Sequence, residues 1–304
     1  MSATPNLEEW LRDTLARLVL QAPENRLSDF QDWPVFDSPL VGIADGDDPI
    51  FGVFSRVVSP GHLNPRGFLR KHSRPEADVS TLRVVSWILP FCARIRRSNR
   101  NQEWPSALYS LARNNGGALN WKIGRRLTSA LQKKGFAAVA PMLTREYDAF
   151  RSSEHTFSST WSERHVAYAA GHGSFGLNGC LITPRGGMVR LGSLVTNLPV
   201  RITPRKRSDY RAPCLRDGGK TCGFCLERCP AHALDGNGLD KSKCYARRQT
   251  IRHKFLSSYS EKFQMLPSPI IKSGRTEVGF SLGCALCVSG VPCEASDTPL
   301  DKEA

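Results

Sequence analysis

A chain of 304 residues with 42 Lys and Arg against 28 Asp and Glu, a formal net charge of +14, is long enough for one large domain or two ordinary ones. Its composition, 40% hydrophobic and 23% charged, excludes a disordered or collagen-like chain, and its longest apolar run, Val84–Ile88 with Pro90 just beyond, is far too short to span a bilayer. The opening residues carry Glu8 and Glu9 and lack a basic segment before an apolar core, so a secretory signal is not expected; a cytoplasmic protein without a membrane partner is.

Thr4-Pro5 has the pattern of an N-cap followed by proline at the first helical position. Leu7, Leu11, Leu15, Leu18 and Val19 then recur at helical spacing, which predicts an amphipathic packing helix. Residues 21–80 are rich in Pro, Gly and Asp and predict short elements joined by loops. Leu82–Leu89 is apolar and β-branched, a buried strand ending at Pro90. Arg94, Arg96, Arg97 and Arg100 follow it and read as a solvated face. Ile123–Lys134 predicts a helix stopped by Gly135, Ala137–Leu143 a strand, and Trp161–Ala170 a further helix. Gly179–Pro184 and Met188–Val195, joined by Arg185-Gly186-Gly187, suggest a β-hairpin. Residues 201–260 hold 14 Lys and Arg against 5 Asp and Glu. This shift in character sets a domain boundary near 200, dividing residues 1–200 from 201–304.

Of the 10 cysteines, Cys92 and Cys180 stand alone in apolar stretches and read as ordinary buried side chains. The other eight, Cys214, Cys222, Cys225, Cys229, Cys244, Cys284, Cys287 and Cys293, fall in the last third of the chain. In a reducing compartment they point to metal or cluster binding rather than disulfides. Cys222-Gly-Phe-Cys225-Leu-Glu-Arg-Cys229-Pro230 is C-x2-C-x3-C-P, the back end of the bacterial ferredoxin run, in which the cysteine before proline serves the other cluster. The usual first cysteine would fall at Gly219, and Cys214 is the nearest substitute. Eight thiolates suit two [4Fe–4S] clusters. The swapped arrangement assigns Cys214, Cys222, Cys225 and Cys293 to one, and Cys229, Cys244, Cys284 and Cys287 to the other. Four-cysteine zinc sites are the rival, although they explain C-x3-C-P poorly.

Gly171-His-Gly173-Ser-Phe-Gly176 matches G-x-G-x-x-G but lies between a predicted helix and a predicted strand, with no acid following until Asp209. A dinucleotide fingerprint needs the reverse order and an acid about 20 residues on. The glycines instead allow close backbone approach, to a ligand or to another element.

The run Trp161–Gly187, Trp-Ser-Glu-Arg-His-Val-Ala-Tyr-Ala-Ala-Gly-His-Gly-Ser-Phe-Gly-Leu-Asn-Gly-Cys-Leu-Ile-Thr-Pro-Arg-Gly-Gly, followed by Val189-Arg-Leu-Gly-Ser-Leu-Val-Thr-Asn-Leu-Pro199, resembles the core segment shared by epoxyqueuosine reductases and cobalamin-dependent reductive dehalogenases. With the cysteine module behind it, the resemblance covers roughly residues 80–295. It implies an α+β fold, with a nitroreductase-like domain holding a corrinoid followed by a ferredoxin-like two-[4Fe–4S] module. It implies an oxidoreductase in which the clusters pass electrons to cobalt. Carried over by position, Glu163, Arg164, Gly171, Gly173, Gly176, Asn178, Gly179, Leu181, Thr183 and Gly192 match the corrin-facing stretch. The implied partners are an electron donor of flavodoxin or ferredoxin type and either a tRNA or a small-molecule substrate. The charge of +14 is also a footprint for nucleic acid. A cluster-only electron carrier without cobalamin is the alternative.

The chain departs from the family pattern at three points. His172 replaces the usual leucine and becomes a candidate axial ligand or proton source, or simply a histidine packed in the turn. The first ferredoxin cysteine is displaced to Cys214. Phe157 stands where epoxyqueuosine reductases carry an acidic proton donor. His155, Ser158, Glu163 and Tyr168 are the candidate replacements, His155, two residues away, being the closest to a suitable pKa. Glu163 sits at a helix start, where the dipole favours the charged carboxylate and makes it the poorer donor. An aromatic at 157 predicts a less polar pocket and a substrate other than epoxyqueuosine.

Overall fold

A computed structural model describes residues 6–295 apart from 75–76, 101–102, 151–156, 207–208, 212–213, 217–220 and 273–274. The Thr4-Pro5 cap and His155 lie outside the described residues. Helix α1 (Leu7–Leu20) instead takes Asn6 as N-cap, whose side chain accepts from the Glu8 amide at 3.0 Å, and it buries Leu11, Leu15 and Val19.

The centre is a four-stranded antiparallel sheet. Strand β1 (Leu40–Asp45) is followed by α2 (Ile50–Val57) and α3 (Pro65–His72) before β2 (Arg83–Pro90). Then come α4 (Ala93–Ser98), α5 (Ala107–Lys133), β3 (Ala138–Val139), α6 (Glu163–Ala169), β4 (Ser174–Phe175), β5 (Leu181–Ile182) and β6 (Val189–Thr196). The strand order is β1-β2-β6-β3. Strand β2 is buried on both faces, which explains its unbroken apolar run. Val85, Trp87 and Leu89 join the core built on α1 and α5, whereas Val84 faces the second core with Phe51, Phe54, Phe68 and Trp161. Two helical layers therefore enclose the sheet. Trp87 pairs across the ladder with Gly192, where a Cβ would stand 2.4 Å from the indole. The ring crosses that gap to reach α5, donating to Asn120 Oδ1 at 2.7 Å.

The cysteine-rich remainder packs on the same frame. It holds the helical turn α7 (Phe224–Glu227), α8 (Lys241–Tyr259) and the ladder of β7 (Ser268–Lys272) with β8 (Arg275–Gly279). Phe255, Leu282 and Val288 enter the α1–α5 core. Among the described residues no helix is long and apolar enough to cross a membrane.

Three sequence expectations change and a fourth holds in part. The expected hairpin across Arg185-Gly186-Gly187 does not form: β5 pairs with β4 and β6 with β2 and β3, leaving one bridge, Thr183 to Gly186. Ala137–Leu143 is strand only at β3 and turns into a 3-10 helix at Pro141, which lacks the amide a strand needs. Helix α5 begins sixteen residues before the predicted Ile123 start and runs through Asn114-Asn115-Gly116-Gly117. Those residues read locally as a turn. Here Asn114 exchanges hydrogen bonds with Leu266 O at 2.9 Å and the Ser281 amide at 2.9 Å, and Asn115 with Gln264 O and the Leu266 amide. Gly116 admits the Phe36 ring. Finally, the face of arginines after β2 is solvated at Arg94, Arg97 and Arg100, as expected, but three of the four side chains are also engaged by the protein. Arg94 lies over Trp33, Arg96 donates to Phe91 O, and Arg100 pairs with the buried Glu294.

Candidate functional site

The eight clustered cysteines come together in two groups. Cys214, Cys222, Cys225 and Cys293 line one partly enclosed pocket with Gly176, Leu177 and Ile182. The Leu177 amide donates to Cys214 Sγ at 3.4 Å. In the other group Cys284 lies in electrostatic range of Cys244 and Cys229, and Cys287 in range of Cys284 and Cys244. In space the eight cysteines thus fall into two sets of four. The local chain path allows this: Cys222 precedes α7 and Cys225 lies within it, while Cys229, past its end, packs in one cluster with Cys244 on α8.

Among the described residues no three His, Cys, Asp or Glu side chains converge as the ligands of one metal ion do. A cube takes one thiolate at each of four corners, so its ligands surround a void instead of meeting at a point. Charge supplies an independent test. The Nε atoms of Arg113, Arg190 and Arg247 are shut off from solvent and have no hydrogen-bond partner. Arg113 lies in range of Cys180 and touches the position of Gly283 beside Cys284, and Arg247 lies in range of Cys284. Burial, reinforced by Arg113, pushes the Arg190 guanidinium down to about 9. Buried cations need an anion, and a cube held by four thiolates is one. The residues fit a cluster at this position.

The glycine turn has a different setting from the one the resemblance implies. At Gly173, φ is +153° and a Cβ would stand 2.0 Å from Ile182 O; at Gly171 it would meet Pro204 O at 2.8 Å. Asn178, Leu181 and Thr183 are buried, and Thr183 Oγ1 donates to Gly186 O. Arg164 is exposed and donates to Gly179 O. The turn is thus spent on the protein itself and backs the first cysteine pocket, so these residues do not offer a corrin ring a free wall. His172 is 6% exposed with Nε2 3.1 Å from Ser86 O, and burial pushes it down to about 4. It is packed under the sheet, with that nitrogen committed to a backbone carbonyl.

Glu163 stands in a different environment. Both its carboxylate oxygens are closed to solvent and lack a hydrogen-bond partner of normal geometry. Burial raises its pKa from 4.5 to about 7, offset only in part by the Ser193 hydroxyl. The helix start was expected to keep Glu163 charged; desolvation outweighs a dipole term of about 0.3–1 kcal/mol. Ser193 also accepts from Trp161 Nε1 at 2.8 Å. Tyr147 is pushed up to about 12 by burial and by the Glu163 charge.

Two histidines that the sequence did not single out pack around Ser162 at the start of α6. His62 stacks on Trp161 at 5.5 Å and its Nε2 accepts from the Ser162 amide at 3.2 Å. His165 Nδ1 is 2.7 Å from Ser162 Oγ. Burial pushes His62 down to about 4 and His165 to about 3, so both are neutral at pH 7. Phe54 and Phe175 pack against these rings. Only the Ser162-Glu163-Arg164-His165 run could have flagged His165; His62 is a hundred residues away, and no spacing links it to the site.

The start of α6 comes near α8 and the second cysteine group. Arg164 lies in range of Cys244. On α8, Tyr245 stacks on Phe157 at 4.4 Å and Lys241 Nζ donates to Phe157 O at 3.1 Å.

No protein-family profile matches the chain. Epoxyqueuosine reductase of Staphylococcus aureus is 38% identical over 85 residues, 27% of this chain and 20% of that protein. Over that stretch the resemblance to epoxyqueuosine reductase read from the motifs stands; the chain aligns with only a fifth of that relative's length. Among solved structures, a selenomethionine-labelled epoxyqueuosine reductase is 16% identical with a TM-score of 0.47, covering 98% of this chain and 67% of that one. A reductive dehalogenase linked in its description to B12-dependent dehalogenation is 15% identical with a TM-score of 0.44, covering 69% and 27%.

Proposed function

We propose that this chain is an iron–sulfur reductase with two [4Fe–4S] clusters and a proton-donating pocket at the start of α6. The observation that carries the reading is the gathering of the eight cysteines into two groups of four, with the Nε atoms of Arg113 and Arg247 buried and without a partner in range of the second. Residues 1–200 supply the pocket and residues 201–304 the cysteines, a nitroreductase-like part followed by a ferredoxin-like one.

Cys214, Cys222, Cys225 and Cys293 would hold one cluster in the partly open pocket, beside the exposed Phe224. This is the entry for electrons from an acidic donor of flavodoxin or ferredoxin type. Cys229, Cys244, Cys284 and Cys287 would hold the other, against Arg113 and Arg247. Bound there, the clusters supply one-electron transfer at potentials set by charge, hydrogen bonding and exposure. Glu163 holds a proton on its carboxyl at neutral pH and delivers it to the group being reduced, a contribution of about 10²–10⁴ in rate for a well-placed acid. Neutral His62 and His165 position the Ser162 backbone and side chain, and with them the first turn of α6. Phe54, Trp161 and Phe175 exclude water. Phe157, held by Tyr245 and Lys241, makes the pocket entrance apolar and favours a substrate less polar than epoxyqueuosine.

Anaerobic purification with iron, sulfide and cobalt analysis tests this reading. About 8 irons and about 8 sulfides per chain are expected, two four-iron cubes; stoichiometric zinc without charge-transfer absorption overturns it. A second reading, a tRNA substrate, is favoured by the net charge of +14. It predicts tRNA binding that weakens steeply with salt.

A further inference from the structure

Arg185-Gly186-Gly187 turns no hairpin, and the segment that carries Cys293 lies against its two glycines instead. The Gly187 amide donates to Cys293 O at 2.8 Å. At Gly186, where φ is +82°, a Cβ would stand 2.2 Å from Glu294 O, and at Gly187 one would stand 3.2 Å from Cys293 O. Bare backbone is what lets the two segments meet. The Glu294 amide donates to Val291 O at 3.0 Å, closing a tight turn that holds Cys293 at its third position. The Glu294 side chain makes a second attachment. It is buried, and its Oε2 accepts from Arg100 Nε at 2.7 Å and pairs with a second nitrogen of the same guanidinium. Arg100 stands just past the end of α4, so the pair ties the Cys293 turn to the first part of the chain. Its stem also lies along the turn: a Cβ at Gly290 would be 3.6 Å from Arg100 Cγ.

We propose that Glu294 is a positioning residue for the first cluster: its ion pair with Arg100, together with the seat at Gly186 and Gly187, holds Cys293 in the pocket of Cys214, Cys222 and Cys225. The inference rests on the two-cluster reading. Cys225 is placed by its own helical turn, with Cys222 just before it. Cys293 has no such support, because it lies beyond the last helical turn, Leu286–Val288. Long-range contacts alone deliver it to the pocket. Contacts behind a ligand commonly matter 10- to 100-fold in the hold on a metal. A buried carboxylate also cannot stay where it is without its cation. With Arg100 gone, Glu294 moves towards water and takes the adjoining Cys293 with it. The effect is selective because Glu294 adjoins a ligand of the first group. Cys284 of the second is held separately, through Asn99, whose Nδ2 donates to Cys284 O at 3.3 Å and to Ser289 Oγ at 2.9 Å.

The test is the rate of iron release to a chelator from the full-length, anaerobically reconstituted protein, for the parent, Arg100→Ala, Glu294→Ala and Arg100→Lys. Electron paramagnetic resonance identifies the cluster being lost, with Cys225→Ser as the reference for a chain without the first. In Arg100→Ala the first cluster is expected to leave about 10- to 100-fold faster than in the parent, and the second at the parent rate. Glu294→Ala, which buries no unpaired charge, accelerates the same cluster by less. Arg100→Lys keeps the cation and stays nearest the parent. If Arg100→Ala does not fold, Glu294→Ala carries the test. Release at the parent rate in Glu294→Ala overturns the proposal even where the melting temperature falls, since the pair would then support the fold and not the ligand. Equal acceleration of both clusters overturns it as well. A parent chain that takes up no iron refutes the two-cluster reading and this inference with it. A parent with about 8 irons, matched by variants that release them at the same rate, refutes the inference alone.

Discussion

Replacing Glu163 with glutamine removes the titration and keeps the shape. In the folded chain the carboxyl holds its proton up to about pH 7; in the unfolded chain it releases it near 4.5. At ~1.4 kcal/mol per tenfold change, that difference is about 3 kcal/mol. The fold favours the neutral form, so between pH 4.5 and 7 the folded state binds more protons than the unfolded one and stability falls as pH rises. Above pH 7 the folded protein carries the whole burden of an ionised carboxylate with no partner. Glu163→Gln is therefore expected to be more stable than the parent at pH 8, by up to about 3 kcal/mol less whatever its own amide leaves unpaired. At pH 5 the two should lie within about 1 kcal/mol of each other. Anaerobic thermal unfolding at both pH values measures the gap; for a chain of this size it is a difference of about 5 °C at pH 8. Infrared spectra should show a protonated-carboxyl band that fades through pH 7 in the parent and is absent from the variant. A stability gap of the same size at pH 5 and pH 8, or a Glu163→Gln protein less stable at pH 8, would refute the assignment of a neutral Glu163.

Cys225→Ser and Cys287→Ser should each lose one cluster, about half the iron, and leave a different remaining resonance signal. Gly173→Ala should destabilise by more than about 2 kcal/mol, because a Cβ there meets Ile182 O at 2.0 Å. Gly135→Ala, at φ +90° with nothing within 4 Å, should cost only about 1–2 kcal/mol, which separates steric contact from backbone strain in the same melting assay. Phe157→Ala should lose the stack on Tyr245, about 0.5–1.5 kcal/mol beyond the lost burial, and leave iron content unchanged. His172→Leu should lower the melting temperature through the lost Ser86 contact while leaving both iron content and the pH dependence at Glu163 intact.

Much of this protein was legible before any coordinates, wherever the information is local. The spacing of Cys222, Cys225 and Cys229 follows from one tight turn, so it can be read from nine residues. The unbroken apolar run of β2 reports burial on both faces, and the glycines of 171–176 report close backbone approach. What the glycines approach, however, was decided by the fold, because Ile182 and Pro204 reach the turn only after the chain has closed on itself. The same holds for α5, where Asn114-Asn115-Gly116-Gly117 reads as a turn. Those amides bond to backbone near 264–281, about 150 residues on, and a distant partner overrides local propensity. The protonation of Glu163 depends on which side chains surround its carboxyl: helix position argues for a charge, and burial beside Trp161 and Ser193 reverses it. Cys180 is the clearest case. As a sequence position it is a solitary cysteine, and only the fold brings its backbone beside Cys287 through the Asn178 amide, since a bridge across a hundred residues leaves no periodicity or spacing to read.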